Sequence, residues 1–483
     1  MSGFKSEDSL KEPTVTAWSV NSSPSLSPTD EKRLPTPSDS INLEGQTNTL
    51  PPYHVFSRSR KLQMVCIVSL AAIFSPLSSN IYFPALGEIS RELDISMSLA
   101  TLTVTVYMIV QGIAPSFWGS FSDVIGRRSI FIGTFIVYMI ANIALGVSTN
   151  YAQLMAFRAI QAAGSAATIS IGAGVIGDIT TSAERGSLIG IFGGETLRTV
   201  AGNGTVPLHG LYKPFIYHFT GQKDADPNSV PSGEKKKVTL KTVVAPLGFL
   251  AEKDVFITLF FGAIVYTVWS MVTSSTSDLF ESTYGLNSLE VGLTFLGNGF
   301  GCISGSYTTG YLMDYNHKRT EREYCVEHNL PLETRITSKT HSDFPIEYAR
   351  MRNTWWITAL FIICTAVYGV SLRTHLAIPI ILQYIIAYCA TAIFTINSAL
   401  VIDLYPGASA SATAVNNLMR CLIGAAGVAA SQPIIDAITA QFAFLLLAGI
   451  TLAMVPLLSI EMRWGAGWRL ERTERLKRKE QSI

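Results

Sequence analysis

The chain has 483 residues, 48% of them hydrophobic and only 15% charged, whereas soluble domains carry about 25% charged residues. That composition excludes an ordinary soluble protein. The formal net charge of +1 says nothing about partners, because the distribution of charge along a membrane protein matters more than its sum. The six cysteines have no CxxC or zinc spacing and read as small apolar fillers, five of them inside apolar segments and Cys325 in a polar loop.

Residues 1–58 are rich in Ser, Thr, Pro, Asp and Glu without apolar periodicity, which predicts a disordered tail. No short apolar core between a basic start and a small-residue cleavage site marks a signal peptide. Apolar segments long enough to cross about 30 Å of hydrocarbon as self-bonded helices then follow. They lie at 62–84, 97–118, 130–148 and 152–176 and, after a polar stretch, at 256–276, 290–312, 354–371, 376–402, 409–431 and 441–460. The expectation is an all-α membrane protein of about ten spans.

Five parts result: the tail at 1–58, a bundle of four spans at 59–194, a linker at 195–255, a bundle of six spans at 256–460 and a basic tail at 461–483. The linker holds Lys235-Lys236-Lys237 with Pro214, Pro227 and Pro231, a composition suited to connecting two bundles in water.

Lysine and arginine set the orientation. Arg127 and Arg128, Lys318, Arg319 and Arg322, and the terminal run from Arg469 to Lys479 fall on one side, while the other side carries little beyond Arg91 and Arg373. The positive-inside rule therefore predicts both termini in the cytosol. The sequon Asn203-Gly204-Thr205 then faces the cytosol and is expected to stay unmodified.

The segment Gly119-Ser120-Phe121-Ser122-Asp123-Val124-Ile125-Gly126-Arg127-Arg128 follows the second span. At the equivalent place beyond the linker stands Gly310-Tyr311-Leu312-Met313-Asp314-Tyr315-Asn316-His317-Lys318-Arg319. A glycine, an aspartate four later and a basic pair eight or nine later recur, as two parallel repeats predict. Gly119 and Gly310 suit close helix approach, and Asp123 with Arg127 or Arg128, like Asp314 with Lys318, suits a conformational latch. The alternative is an exposed charged loop that only sets orientation.

Ionisable residues inside spans are expensive and are functional candidates for that reason. Arg158 and Arg420 stand one in each bundle, whereas Asp123, Asp178, Asp278, Asp403 and Asp436 sit at span ends or in loops. Paired guanidinium forks suit a carboxylate substrate; the alternative is that each arginine only bonds helices together. Asn80, Gln111, Gln161, Asn416 and Asn417 are further candidates to line a path, with Asn416 on nearly the same helix face as Arg420. Tyr107 and Trp269 suit core packing or interface placement better than a site. Arginine does not release its proton, so proton coupling requires a nearby carboxylate, Asp278 among them, or the substrate itself.

Gly172-Ala173-Gly174-Val175-Ile176-Gly177 fits GxGxxG, but no strand precedes it, and it reads as a close-packing helix face. Gly297, Gly299, Gly301 and Gly305 read likewise. With no P-loop, HExxH or GxSxG signature, neither enzyme activity nor a cofactor, metal or nucleic-acid partner is expected.

The loop motif at 119–128 resembles the cytosolic signature of the major facilitator superfamily, and Arg158-Ala159-Ile160-Gln161-Ala162-Ala163-Gly164 resembles the fourth-helix signature of its proton antiporters. Ser75 to Pro84 and Asp403-Leu404-Tyr405-Pro406-Gly407 look like fungal members of the twelve-helix drug:proton antiporter family. Within it, Lys61 to Gln111 and Ser409 to Gly424 are similar to the fungal citrate exporter branch. The resemblance covers residues 60–470.

It implies a major facilitator fold of two helical bundles, a monomer in the plasma membrane that exports small organic anions such as citrate by alternating access. Uniport, symport and proton antiport are all open. Efflux of drugs or a fungal secondary metabolite is the alternative.

Six spans follow the linker but four precede it. In the family a Phe-Gly-Gly like Phe192-Gly193-Gly194 lies within the fifth helix, and a Glu-Thr-Leu-Arg like that at 195–198 follows the sixth. The fifth and sixth helices are therefore missing, which keeps the in-out parity of the rest but also raises a third possibility, a truncated form that does not transport.

Overall fold

The structure is a computed structural model and describes residues 70–71, 74–179, 245–331, 343–405 and 409–481. The expected tail at 1–58, most of the linker, the sequon and the Phe-Gly-Gly to Arg198 stretch lie outside these residues. Every regular element among the described residues is a helix.

The first half contains α1 (Leu86–Glu92), α2 (Met97–Ile125), α3 (Arg127–Gly146) and α4 (Tyr151–Ile179). A helical stretch over 74–80 and the 3₁₀ turn Phe83–Ala85 precede them. The second half contains α5 (Lys253–Tyr284), α6 (Ser288–Glu327), α7 (Ile346–Met351), α8 (Thr354–Ser371), α9 (Ala377–Leu404) and α10 (Ser409–Gln481). Positive φ at Thr439 breaks α10 into two arms, so it accommodates the ninth and tenth expected spans.

Local chemistry fixes the boundaries. Ser96 caps α2 by accepting from the Leu99 amide, and Asn287 with Glu290 forms a reciprocal capping box at the start of α6. Gly126, inside the loop motif, sits at φ 113° between α2 and α3. Only glycine takes that conformation without strain, which lets two long helices reverse with no intervening loop.

Six helices are long and apolar enough to cross a membrane among the described residues. The helices α4 and α6 cover the expected spans at 152–176 and 290–312, and α6 is the less apolar of the two because it is rich in Gly, Ser, Thr and Tyr. Those small residues allow close packing. A Cβ on Gly301 or Gly305 would run into the carbonyl oxygens of Tyr384 and Tyr388 on α9, whereas Gly299 faces open space.

The second half has one continuous apolar core, which joins Val265 and Phe280 of α5 to Phe361, Ile393 and Phe444. A small cluster of Ala71, Phe131, Ala167, Ile171 and Val175 serves the first half. A third joins the halves, setting Phe83, Val104 and Met108 against Ala425 and Val428 of α10.

Candidate functional site

Between the halves lies a cavity of about 480 Å³, large enough for a small organic molecule. Asn80, Gln111, Ser75 and Phe83 contribute from the first half; Tyr266, Trp269, Ser270, Thr273, Phe394 and Arg420 contribute from the second. Among the described residues its lining contains one charged side chain, Arg420.

Arg420 projects from the first arm of α10 into an aromatic slot. Its guanidinium lies 4.3 Å from the centroid of Phe394 and 4.7 Å from that of Tyr266, contacts that hold a cation at about 0.5–2 kcal/mol each while leaving its edge free. One terminal nitrogen donates to Asn417 Oδ1 at 2.6 Å, and Nε has no partner. Asn417 in turn donates to the backbone oxygen of Gln111 at 2.8 Å. A single amide thus ties the cavity's charge to the opposite half.

Arg158 stands apart from this wall. It is 1% exposed, with its guanidinium 3.9 Å from the Tyr82 ring centroid and 4.3 Å from that of Tyr107. It donates to Gln161 Oε1 at 2.6 Å, while Nε and one terminal nitrogen have no partner. Gln161 donates to Asn142. Tyr107 bonds Ser75 and Ser165, and Gln111 bonds the Ser75 hydroxyl, so Arg158 reaches the cavity through one layer of tyrosine and serine. Neither arginine pairs with a carboxylate among the described residues.

Of the residues singled out by sequence, Arg420, Gln111 and Asn80 therefore meet on the cavity, with Asn417 immediately behind Arg420. Asn416 turns away and donates to Ser398. Trp269, expected in the core or at the interface, lines the cavity and donates to Asn298. Sequence reasoning passed over Tyr82, Tyr266 and Phe394, since an aromatic in an apolar helix carries no signal until its arginine neighbour is known.

The two loop motifs are not equivalent in structure. Arg127 is buried and donates to Ser122 at 2.7 Å, and Ser122 donates to the Gly119 carbonyl. The Asp123 side chain lies outside the described residues. In the second copy Asp314 and Lys318 are exposed, Arg319 pairs with Glu323, and a Cβ on Gly310 would meet nothing. Gly310 mediates no close approach in this arrangement.

At the end of the bundles carrying the α1 loop, Arg91 forms an ion pair with Glu281 at the end of α5. Ser288 of α6 donates to Glu88 and Ser277 to the Phe83 carbonyl. Arg91, one of two basic residues on the poorly basic side, thus ties the two halves together at that end. At the opposite end Arg469 and Arg472 of α10 are buried against Glu347 and Asp254. The expected basic tail is the continuation of a helix clamped onto α5 and α7, because its arginines find carboxylate partners.

Comparison with known proteins places this geometry. The profile described as Major Facilitator Superfamily matches residues 68–197. The chain is 66% identical to Citrate exporter 1 of Aspergillus niger, covering 90% of this chain and 92% of that one. It is 30% identical to the MFS antiporter QDR2 of Candida albicans, covering 84% and 89%. The human organic anion transporter MFSD10 (TETRAN) has a similar fold, at a TM-score of 0.52 and 14% identity, over 83% of this chain and all of that chain. The match to the A. niger protein extends over 482 positions but takes in only 90% of these 483 residues, so roughly 50 aligned positions have no residue here, room for two spans of about 20 residues and a turn. The chain is a multi-pass membrane protein that belongs to the major facilitator superfamily.

Proposed function

We propose that this transporter exports small organic anions of the citrate kind by alternating access, with Arg420 as the group that holds a substrate carboxylate. The observation that supports this most is an uncompensated guanidinium in the cavity wall, braced by Asn417 and two aromatic rings with Nε still free. A charge buried without a counter-ion is costly, and an anionic substrate removes that cost. The 66% identity to a citrate exporter supports the same substrate class. Asn80 and Gln111 suit the hydroxyl and remaining carboxyl oxygens of such a substrate, while Arg158 and Gln161 brace the wall behind Tyr107. The plasma membrane with both termini in the cytosol is the setting this reading requires, and the substrate's own titration is a route for proton coupling.

The roughly 50 aligned positions of the A. niger protein that have no residue here support a second reading, a form of the protein that inserts but does not transport. Equilibrium binding separates the two readings from a change of substrate. Purified protein is expected to bind labelled citrate, with competition by tricarboxylates and loss in Arg420→Ala. Displacement by lipophilic cations but not by tricarboxylates would contradict the anion assignment and favour drug or metabolite efflux.

A further inference from the structure

Where the second arm of α10 leaves the apolar core, five ionisable side chains meet. Arg472 donates to both carboxylate oxygens of Asp254 at 2.8 and 2.6 Å and lies 4.7 Å from the Tyr405 ring centroid. Arg469 donates to Glu347 Oε1 at 2.8 Å and to the Phe344 carbonyl at 2.7 Å. The fifth group, Glu461, is 0% exposed, and neither of its oxygens has a hydrogen-bond partner.

The groups facing Glu461 are Asp254 and Thr258 from α5, Glu347 from α7 and Arg472 from its own helix. The Thr258 hydroxyl lies close without forming an aligned bond. Glu252, at the start of α5, is taken by Arg475, and Asp403 of α9 by Arg350. From α8, Trp355 packs nearby and donates to Met462.

Charge balance follows from these contacts. Two guanidinium groups already offset two carboxylates, so an ionised Glu461 adds a third negative charge with no bond to either oxygen. A bare carboxylate in a dry site is costly, and a proton removes that cost. We propose that Glu461 is a proton-binding site: it is held as the neutral acid while the second arm of α10 is docked on α5 and α7, and its ionisation loosens that docking. The site lies apart from the substrate cavity and does not depend on what the protein transports.

A carboxyl that keeps its proton only in the folded state binds more protons folded than unfolded. Stability then falls as pH rises above the ordinary carboxylate range, by up to about tenfold in the folded-to-unfolded ratio per pH unit, until the folded form ionises as well. The test is infrared difference spectroscopy at neutral pH on full-length protein in membranes, wild type against Glu461→Gln, with isotope-labelled glutamate. The expected difference is loss of one carboxylic-acid carbonyl band, together with a thermal inactivation profile that falls less steeply with rising pH in the variant. A difference made only of carboxylate bands would show Glu461 ionised, with Arg472 turned to meet it, and would overturn the proposal. If the variant does not accumulate, the wild type alone decides: a labelled-glutamate acid band at neutral pH that disappears at alkaline pH supports the proposal, and its absence overturns it.

Discussion

The third helix of each half makes the sharpest comparison in the molecule. In the second half, α8 has 50% of its span buried, with Gly369 pressed against Ala440 and Gln441 and Tyr368 edge-on to Phe444, all on the second arm of α10. Its counterpart α3 has 11% buried and exposes Ile136, Met139, Ile140 and Ile143. In the second half the sixth helix covers the third, whereas among the described residues of the first half no sixth helix lies on α3. The second helices tell the same story. The helix α2 packs on the first arm of α10, the fifth helix of the other repeat, through Val104, Met108 and Gly112, whereas α6 exposes Leu293, Leu296, Phe300, Ile303, Tyr307 and Tyr311 along one stripe. The partner that symmetry assigns to that stripe is the fifth helix of the first repeat, which is not among the described residues.

The largest expected effect therefore comes from restoring the two helices. The restored protein should survive heating in detergent to a clearly higher temperature than the 483-residue form, measured as loss of monodisperse protein. Equal stability would break the comparison.

Next is Gly126→Ala. Forcing a Cβ onto φ 113° costs about 1–3 kcal/mol, so the yield of folded protein should fall. The same change at Gly310, where a Cβ meets nothing, should cost no more than about 0.5 kcal/mol. Equal losses would restore the equivalence of the two motifs.

Smaller effects probe the site and its closure. Asn417→Ala removes the brace between Arg420 and Gln111 and should weaken anion binding about tenfold, from a loss of roughly 1.5 kcal/mol in a charge-assisted bond. Glu281→Gln removes the ion pair with Arg91, whose side chain is 58% exposed; such surface pairs contribute about 0–1 kcal/mol. The expected result is a faster exchange of the cavity with that side of the membrane at little change in stability, read by labelling a cysteine placed at Ser79.

Much of this was legible in the sequence because it follows from local rules. Apolar length placed the helices, repeated glycine and charge positions revealed the two halves, and an arginine inside a span marked the wall at Arg420. What stayed hidden depends on distant contacts. The position of Arg158 behind Tyr107 is set by packing between α2 and α4. Glu461 adjoins an apolar span and a basic segment, so sequence gave it no distinction; its burial against Asp254 and Glu347 arises from residues more than a hundred positions away. The inequality of the two loop motifs was equally invisible, because spacing records which residues recur but not what surrounds them.

The central proposal, an anion held by Arg420 between the two halves, is tested most directly by export of labelled citrate. Cells would express the 483-residue form, the form with two helices restored, and Arg420→Ala in the restored background, all at matched surface levels. The account predicts export by the restored form and its loss with Arg420→Ala, where removing a charged hydrogen bond costs about 1.5–3 kcal/mol. Undiminished citrate export by the Arg420→Ala variant, or none by a restored form present at the surface, would contradict it.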